Sequence, residues 1–246
     1  MLRQLEQQFV DALTLDLAPV AVTFCEQIPQ GVPKFRGTVP AGCRFWKLAA
    51  TRPAGRSAFY TVPADHHNCA VGSYTHNIDL AAARAHELGE VLTLFANIGY
   101  VQPEEVPLIP RWSSTPAAIV YCRLADADGP PDVVVFVLRP AAAMLLNEAA
   151  KASGVASGLE PLSRPTCMAV PLASARGATM SFGCVGNRVY TDLPDSHIYM
   201  MVRGADLTAL AASLITIGSA NAQLDAYHRE RRQSLTDENQ GESSAS

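Results

Sequence analysis

Apolar residues near the start of the chain fall at Leu2, Leu5, Phe9 and Leu13. This spacing of three and four is one face of an amphipathic helix over Met1 to Asp16. Pro19 to Cys25 (PVAVTFC) then reads as a buried strand: short, β-branched and introduced by a proline. Gly31 to Gly42 is rich in Pro and Gly and predicts loop, Cys43 to Ala50 a helical turn or two, and Ala58 to Val62 a strand that runs into the polar loop Asp65-His66-His67-Asn68-Cys69. Asp79 to Leu88 and Glu90 to Ile98 predict two helices parted by Gly89, followed by a proline-rich connector from Pro103 to Pro116. Ala117 to Leu124 and Asp132 to Leu138 are continuous apolar runs, as in strands covered on both faces. Pro140 starts a helix through Ala152. Ala178 to Phe182 and Ile198 to Val202 predict strands, and Asp206 to Ile217 and Asn221 to Arg232 closing helices. Strands alternating with helices define an α/β, or mixed α+β, domain.

The 246 residues suit one large domain on the prior of roughly 150 residues per domain. They divide into an N-terminal helix (1–16), a globular body (17–233) and a tail (234–246) expected to be disordered, because SLTDENQGESSAS has too little apolar surface to offset ordering entropy. With 48% hydrophobic and 17% charged residues, a disordered protein is excluded. The net charge of −4, without a Lys/Arg cluster, argues against a nucleic-acid partner. The start of the chain carries Glu6 and Asp11 and lacks the pattern of a secretory signal. Leu207 to Ile217 is too short for the roughly 20 residues of a bilayer span. These features predict a soluble cytoplasmic protein without a membrane partner. Its six cysteines would therefore meet a reducing pool, where packing, metal binding or reactivity explains them better than disulfides.

Two segments look like copies of two others. Cys43-x4-Leu48-Ala49 matches Cys167-x4-Leu172-Ala173, and Cys69-Ala-Val-Gly72 matches Cys184-Val-Gly186, each pair preceded by a PVAV or DVVV strand. The offsets are 113 for the strands (132 − 19), 124 for the first cysteines (167 − 43) and 115 for the second (184 − 69), a drift that loop insertions would absorb. Two related halves, about 17–115 and 116–233, would then present Cys43, Cys69, Cys167 and Cys184 to a shared interface.

The motifs PVAVTF (Pro19 to Phe24), Cys43 with Ala49-Ala50, Asp65-His66-x-x-Cys69-x-x-Gly72, Pro165-x-Cys167 and Gly183-Cys184-x-Gly186-x-Arg188 resemble the domain of unknown function 169 family of bacteria and archaea. The resemblance runs from about Leu13 to about Tyr227 and implies a soluble prokaryotic protein of unassigned activity. Cys25 and Cys122 lie within strand patterns and match none of these motifs.

Four thiolates complete a tetrahedral zinc site or an iron-sulfur cubane, and four cysteines stand at motif positions. Their separations of 26, 98 and 17 residues (69 − 43, 167 − 69, 184 − 167) include no C-x-x-C, so the whole fold must assemble the site. An iron-sulfur cluster is favoured over zinc on the all-thiolate count. His66, His67 and Arg188 would line it, with Gly72 and Gly186 allowing close approach. In a second reading, His66 or His67 lowers the pKa of Cys69 to make a nucleophile, oriented by Asp65, while Arg188 holds a small anionic substrate. In a third, the thiols are inert core residues of a small-ligand-binding or structural protein. A redox or small-molecule partner goes with the first two. Trp46, Phe45 and Trp112 read as packing residues, and His76, His86, His197 and His228 as isolated surface or core histidines. No P-loop, GxGxxG, HExxH or GxSxG occurs.

Overall fold

A computed structural model describes residues 1–80, 82–156, 161–162 and 164–243. Helix α1 (Leu2–Leu13) leads into strand β1 (Val20–Cys25), α2 (Cys43–Thr51), β2 (Phe59–Thr61), α3 (Ala70–Thr75), α4 (Ala82–Asn97) and β3 (Ala118–Arg123). Then come β4 (Val133–Leu138), α5 (Pro140–Ala152), β5 (Pro161–Leu162), α6 (Ala169–Arg176), β6 (Ala178–Ser181), α7 (Val185–Thr191), β7 (Ile198–Arg203) and α8 (Leu207–Ser243). The architecture is mixed α+β: one seven-stranded sheet in the order β2-β3-β1-β4-β7-β6-β5, antiparallel except between β5 and β6.

The continuous apolar runs are explained by cover on both faces. Val134, Phe136 and Leu138 point into one core with Phe9 of α1, Leu146 of α5 and Leu210 of α8. Val133 and Val135 point into the other, with Phe45 and Trp46 of α2 and Val170 of α6. Side chains alternate across a strand, so one apolar run serves two cores.

The sheet repeats itself about the β1–β4 boundary. β1 pairs antiparallel with β3 at Val20↔Arg123, and β4 pairs antiparallel with β7 at Val133↔Arg203; β2 lies outside β3 as β6 lies outside β7. Backbone closures repeat too, since Leu124 N–H donates to Pro19 O and Gly204 N–H to Asp132 O, each at 2.9 Å. After the third strand of each set stands Arg-x-Ala-Asp, at Arg123–Asp126 and Arg203–Asp206. By this pairing β3 groups with β1 and β2, so the division between halves falls between β3 and β4 rather than at 115/116. The offset drifts because each half has its own insertion: α4 and the proline-rich connector in the first, α5 and β5 in the second.

Three helical expectations are corrected. α4 runs unbroken through Gly89, whose carbonyl accepts from Thr93 Oγ1 at 2.8 Å; one glycine costs about 1 kcal/mol relative to alanine, which the neighbouring helix formers outweigh. The two closing helices are one, α8. That helix continues to Ser243 through most of the stretch expected to lack order, because extending an established helix avoids the cost of nucleating a new one; residues 244–246 lie outside the described residues. Residues Gly204–Thr236 contain an 18-residue window of mean hydropathy 1.3, 22% of it buried, which makes the helix long and apolar enough to cross a bilayer by length and composition. Its first turns, at Leu207, Leu210, Ala211 and Leu214, pack into the core. α1 belongs to the same core through Leu5, Phe9 and Leu13 and is no separate unit.

Candidate functional site

Each motif cysteine stands at the start of a helical turn on the α2/α6 side of the sheet. Cys43 opens α2, Cys69 caps α3, Cys167 lies in the 3-10 turn Thr166–Met168 that leads into α6, and Cys184 caps α7. Cys43 and Cys167 thus occupy like positions in the two halves, as do Cys69 and Cys184. The four thiols are close enough that charge on one acts on another in every pairing among them. Cys25 and Cys122 sit apart, in β1 and β3.

Each of the four residues keeps part of its surface exposed, and the thiols of Cys43, Cys69 and Cys167 are drawn inward. Burial pushes the Cys43 thiol up to about 12 and those of Cys69 and Cys167 upward as well. Opposing this, hydrogen-bond donors face the sulfurs. The Gly72 amide donates to Cys69 Sγ at 3.3 Å, and the amides of Gly42 and Val71 also pull the Cys69 thiol down. The Thr75 hydroxyl, on the helix that Cys69 caps, acts on Cys167 in the other half. The amide of Asn187, on α7, lies against Cys43.

Several buried polar atoms on this side have no hydrogen-bond partner of good geometry among the described residues: both amide atoms of Asn187, the Tyr121 hydroxyl, Trp46 Nε1, His66 Nδ1, His67 Nε2 and both ring nitrogens of His76. Asn187 is only 2% exposed, and a side chain at Gly183, which has φ +82°, would press on its Oδ1. An unsatisfied buried polar group costs about 1–3 kcal/mol. Of these groups, the Asn187 amide and the Tyr121 hydroxyl lie near Cys43.

The other expected site residues take varied places. His66 is enclosed between Phe45 and Tyr121, with Nε2 bonded to Thr61 Oγ1 at 2.8 Å and Nδ1 facing Gly42, where a β-carbon would stand 3.1 Å away. Burial keeps its imidazole neutral. Neither His66 nor His67 hydrogen-bonds the Cys69 thiol among the described contacts, and Asp65 accepts from the Val62 amide instead of an imidazole. Arg188 is occupied: its guanidinium donates to the carbonyls of Phe182, Pro194 and His197, clasping the ends of β6 and β7, so those donors are not offered to an anion. Gly72 gives its amide to Cys69, whereas a β-carbon at Gly186 would meet only the Tyr190 ring at 3.5 Å. Asn187 and Thr75 were not foreseen. Asn187 is the unspecified position between Gly186 and Arg188, and that placement inside a cysteine motif was the available signal.

Among the described residues, no three His, Cys, Asp or Glu side chains are gathered tightly enough to hold a single metal ion. The fold defines a mixed α+β protein built on one seven-stranded sheet whose strand pairings repeat between its two parts. The family model of domain of unknown function 169, described as an uncharacterised ArCR, matches residues 8–213, and the chain belongs to that family. No curated protein and no solved structure matches it.

Proposed function

We propose that this is a soluble cytoplasmic protein that holds an iron-sulfur cluster on Cys43, Cys69, Cys167 and Cys184 and uses it in one-electron chemistry. The observation that supports the reading is the mutual electrostatic influence of four thiols from two halves, with the Asn187 amide and the Tyr121 hydroxyl near Cys43. A bound cubane would supply reversible uptake of one electron and present sulfides as acceptors. The Asn187 amide and the amides of Gly42, Val71 and Gly72 stand where they can donate to sulfur, and hydrogen bonds to sulfur raise a cluster's potential.

The all-thiolate set of four favours a cluster over zinc. The nucleophile reading is weaker: burial holds the Cys69 thiol protonated, and its partner is an amide rather than an imidazole.

The test is anaerobic purification of the full chain, followed by iron and acid-labile sulfide analysis with visible and EPR spectra. The expected result is about four irons and four sulfides per chain, lost when any of the four cysteines becomes serine and kept in Cys25→Ser and Cys122→Ser. Colourless, metal-free protein of full stability that stays colourless after reconstitution with iron and sulfide overturns the proposal.

A further inference from the structure

Helix α8 outruns the body on which it starts. Leu207, Leu210, Ala211 and Leu214 pack in the core with α1 and α5, whereas from Ala222 to Thr236, about 22 Å of helix, every side chain is exposed. A helix in a globular protein draws most of its stability from packing one face, and this length has no such cover among the described residues. It nevertheless carries a face. Ile217, Ala220, Leu224 and Tyr227 follow one another at spacings of three, four and three, and Arg231 and Ser234 continue the rhythm. Leu224 and Tyr227 are each 56% exposed. A stripe of period 3.5 is the seam of a two-helix coiled coil.

The charges choose what covers the seam. Asp225 and Arg229 pair with each other at 2.5 Å, turned away from it, and Glu230 stands among the arginines, so the polar side lacks the uniformly basic character of a helix lying on a membrane. Arg231 has no ion pair among the described residues. Neither does Glu148 of α5, which accepts instead from Asn221 Nδ2 at 3.0 Å, beside the seam position Ala220. Two copies of α8 running parallel would set Arg231 against Arg231, a repulsive contact. Running antiparallel about a two-fold axis between Asp225 and Ala226, they set Leu224 against Tyr227, Ile217 against Ser234 and Arg231 against Ala220. The small Ala220 leaves room for the arginine stem and brings its guanidinium over Glu148. A charged residue at one seam position is a device that fixes orientation and register.

We propose that α8 is a dimerisation element: two copies of the chain pair antiparallel through Ile217, Ala220, Leu224 and Tyr227, with Arg231 of each copy meeting Glu148 of the other. The contact lies on the α1/α5/α8 side of the sheet, is the same patch on both copies, and needs no bound group.

The test is sedimentation equilibrium with light scattering on the full chain over about a hundredfold range of concentration. The expected mass is twice that of one chain, falling toward one on dilution. Leu224→Glu and Tyr227→Glu, both at exposed positions, should raise the dimer dissociation constant at least about thirtyfold, while the urea midpoint of dilute, dissociated chain does not move. Ala222→Glu, on the opposite face of the helix, should leave it within about twofold. Arg231→Glu should raise it about tenfold, and Glu148→Arg added in the same chain should recover most of that loss. A monomer throughout the range, a dimer indifferent to Leu224→Glu and Tyr227→Glu, equal disruption by Ala222→Glu, or no recovery on adding Glu148→Arg overturns the proposal. So does a monomer that binds vesicles of equal parts phosphatidylcholine and phosphatidylglycerol and loses that binding in Leu224→Glu, because the seam would then belong to a lipid surface.

Discussion

The two sides of the sheet solve different problems. On the α1/α5/α8 side, Phe9 meets Phe136 edge-on at 5.1 Å amid Leu138, Leu146, Met200 and Leu210, all of them fully buried. That side holds one buried ion pair, Arg123 with Glu6 at 2.6 Å, and the second Glu6 oxygen accepts from the Ala125 amide. The α2/α6 side also has a full apolar core, yet it carries the four motif thiols and most of the unpartnered buried polar atoms. The α1/α5/α8 side leaves only Arg123 Nε and Asn147 Oδ1 without a partner among the described buried side-chain atoms. The other is left with donors in excess, so a ligand has something to gain there.

If that contrast is right, damage should read differently on the two sides. Phe136→Ala removes the centre of the closed core and should cost about 3–5 kcal/mol in urea unfolding, without altering the iron content of the protein that folds. Cys167→Ser, on the open side, should abolish iron loading while moving the metal-free urea midpoint far less. Equal stability losses with iron retained in both variants would erase the distinction.

Acid should strike the open side next. His76 is fully enclosed, and burial lowers its pKa from 6.5 to about 4; His66 beside it is held lower than usual by the same cause. The folded state keeps these rings neutral, so between pH 6.5 and about 4 the unfolded chain binds more protons. Their contribution is therefore complete above pH 6.5 and is lost as pH falls toward 4, by about 3 kcal/mol for His76. Urea titrations of metal-free protein between pH 6.5 and 4.5 should show this slope, flattened in His76→Gln. An equal slope in that variant would remove the assignment. At the other end, the folded Cys43 and Cys122 thiols, both held up to about 12, keep protons that the unfolded chain releases. Metal-free stability should thus decline as pH rises from 9, measurably less so in Cys43→Ser.

The strands were legible because they alternate or run apolar over a few residues between turn residues, and β1, β3, β4 and β7 stand where that pattern puts them. Short α3, α6 and α7 were not, since six to eight residues with glycine or proline inside carry too little period to register. The cysteine pairs were readable as motifs. Their convergence was not, because it depends on β1 lying against β4, a pairing between segments more than a hundred residues apart. Arg188 misled because an arginine beside glycines looks free in a sequence, whereas here backbone carbonyls take its donors. The Arg-x-Ala-Asp pair at 123 and 203 would have fixed the repeat, but its offset of 80 (203 − 123) hides behind the long insertion carrying α4.

The smallest expected effect separates the two sides most sharply. Asn187 is buried beside the Cys43 thiol and the Tyr199 hydroxyl with no hydrogen bond of good geometry at either amide atom, so in metal-free protein its amide is poorly satisfied. Asn187→Leu replaces it with an apolar group of similar volume and should raise metal-free stability by up to about 1 kcal/mol, since deleting an unsatisfied buried polar group is neutral or favourable. In loaded protein the same change removes a donor to the Cys43 sulfur. The cluster potential should fall, and iron should be lost faster to a chelator. A variant less stable in both states would mean that Asn187 is an ordinary packing residue whose partners lie within the fold. Opposite signs in the two states would show that its acceptor is the bound group.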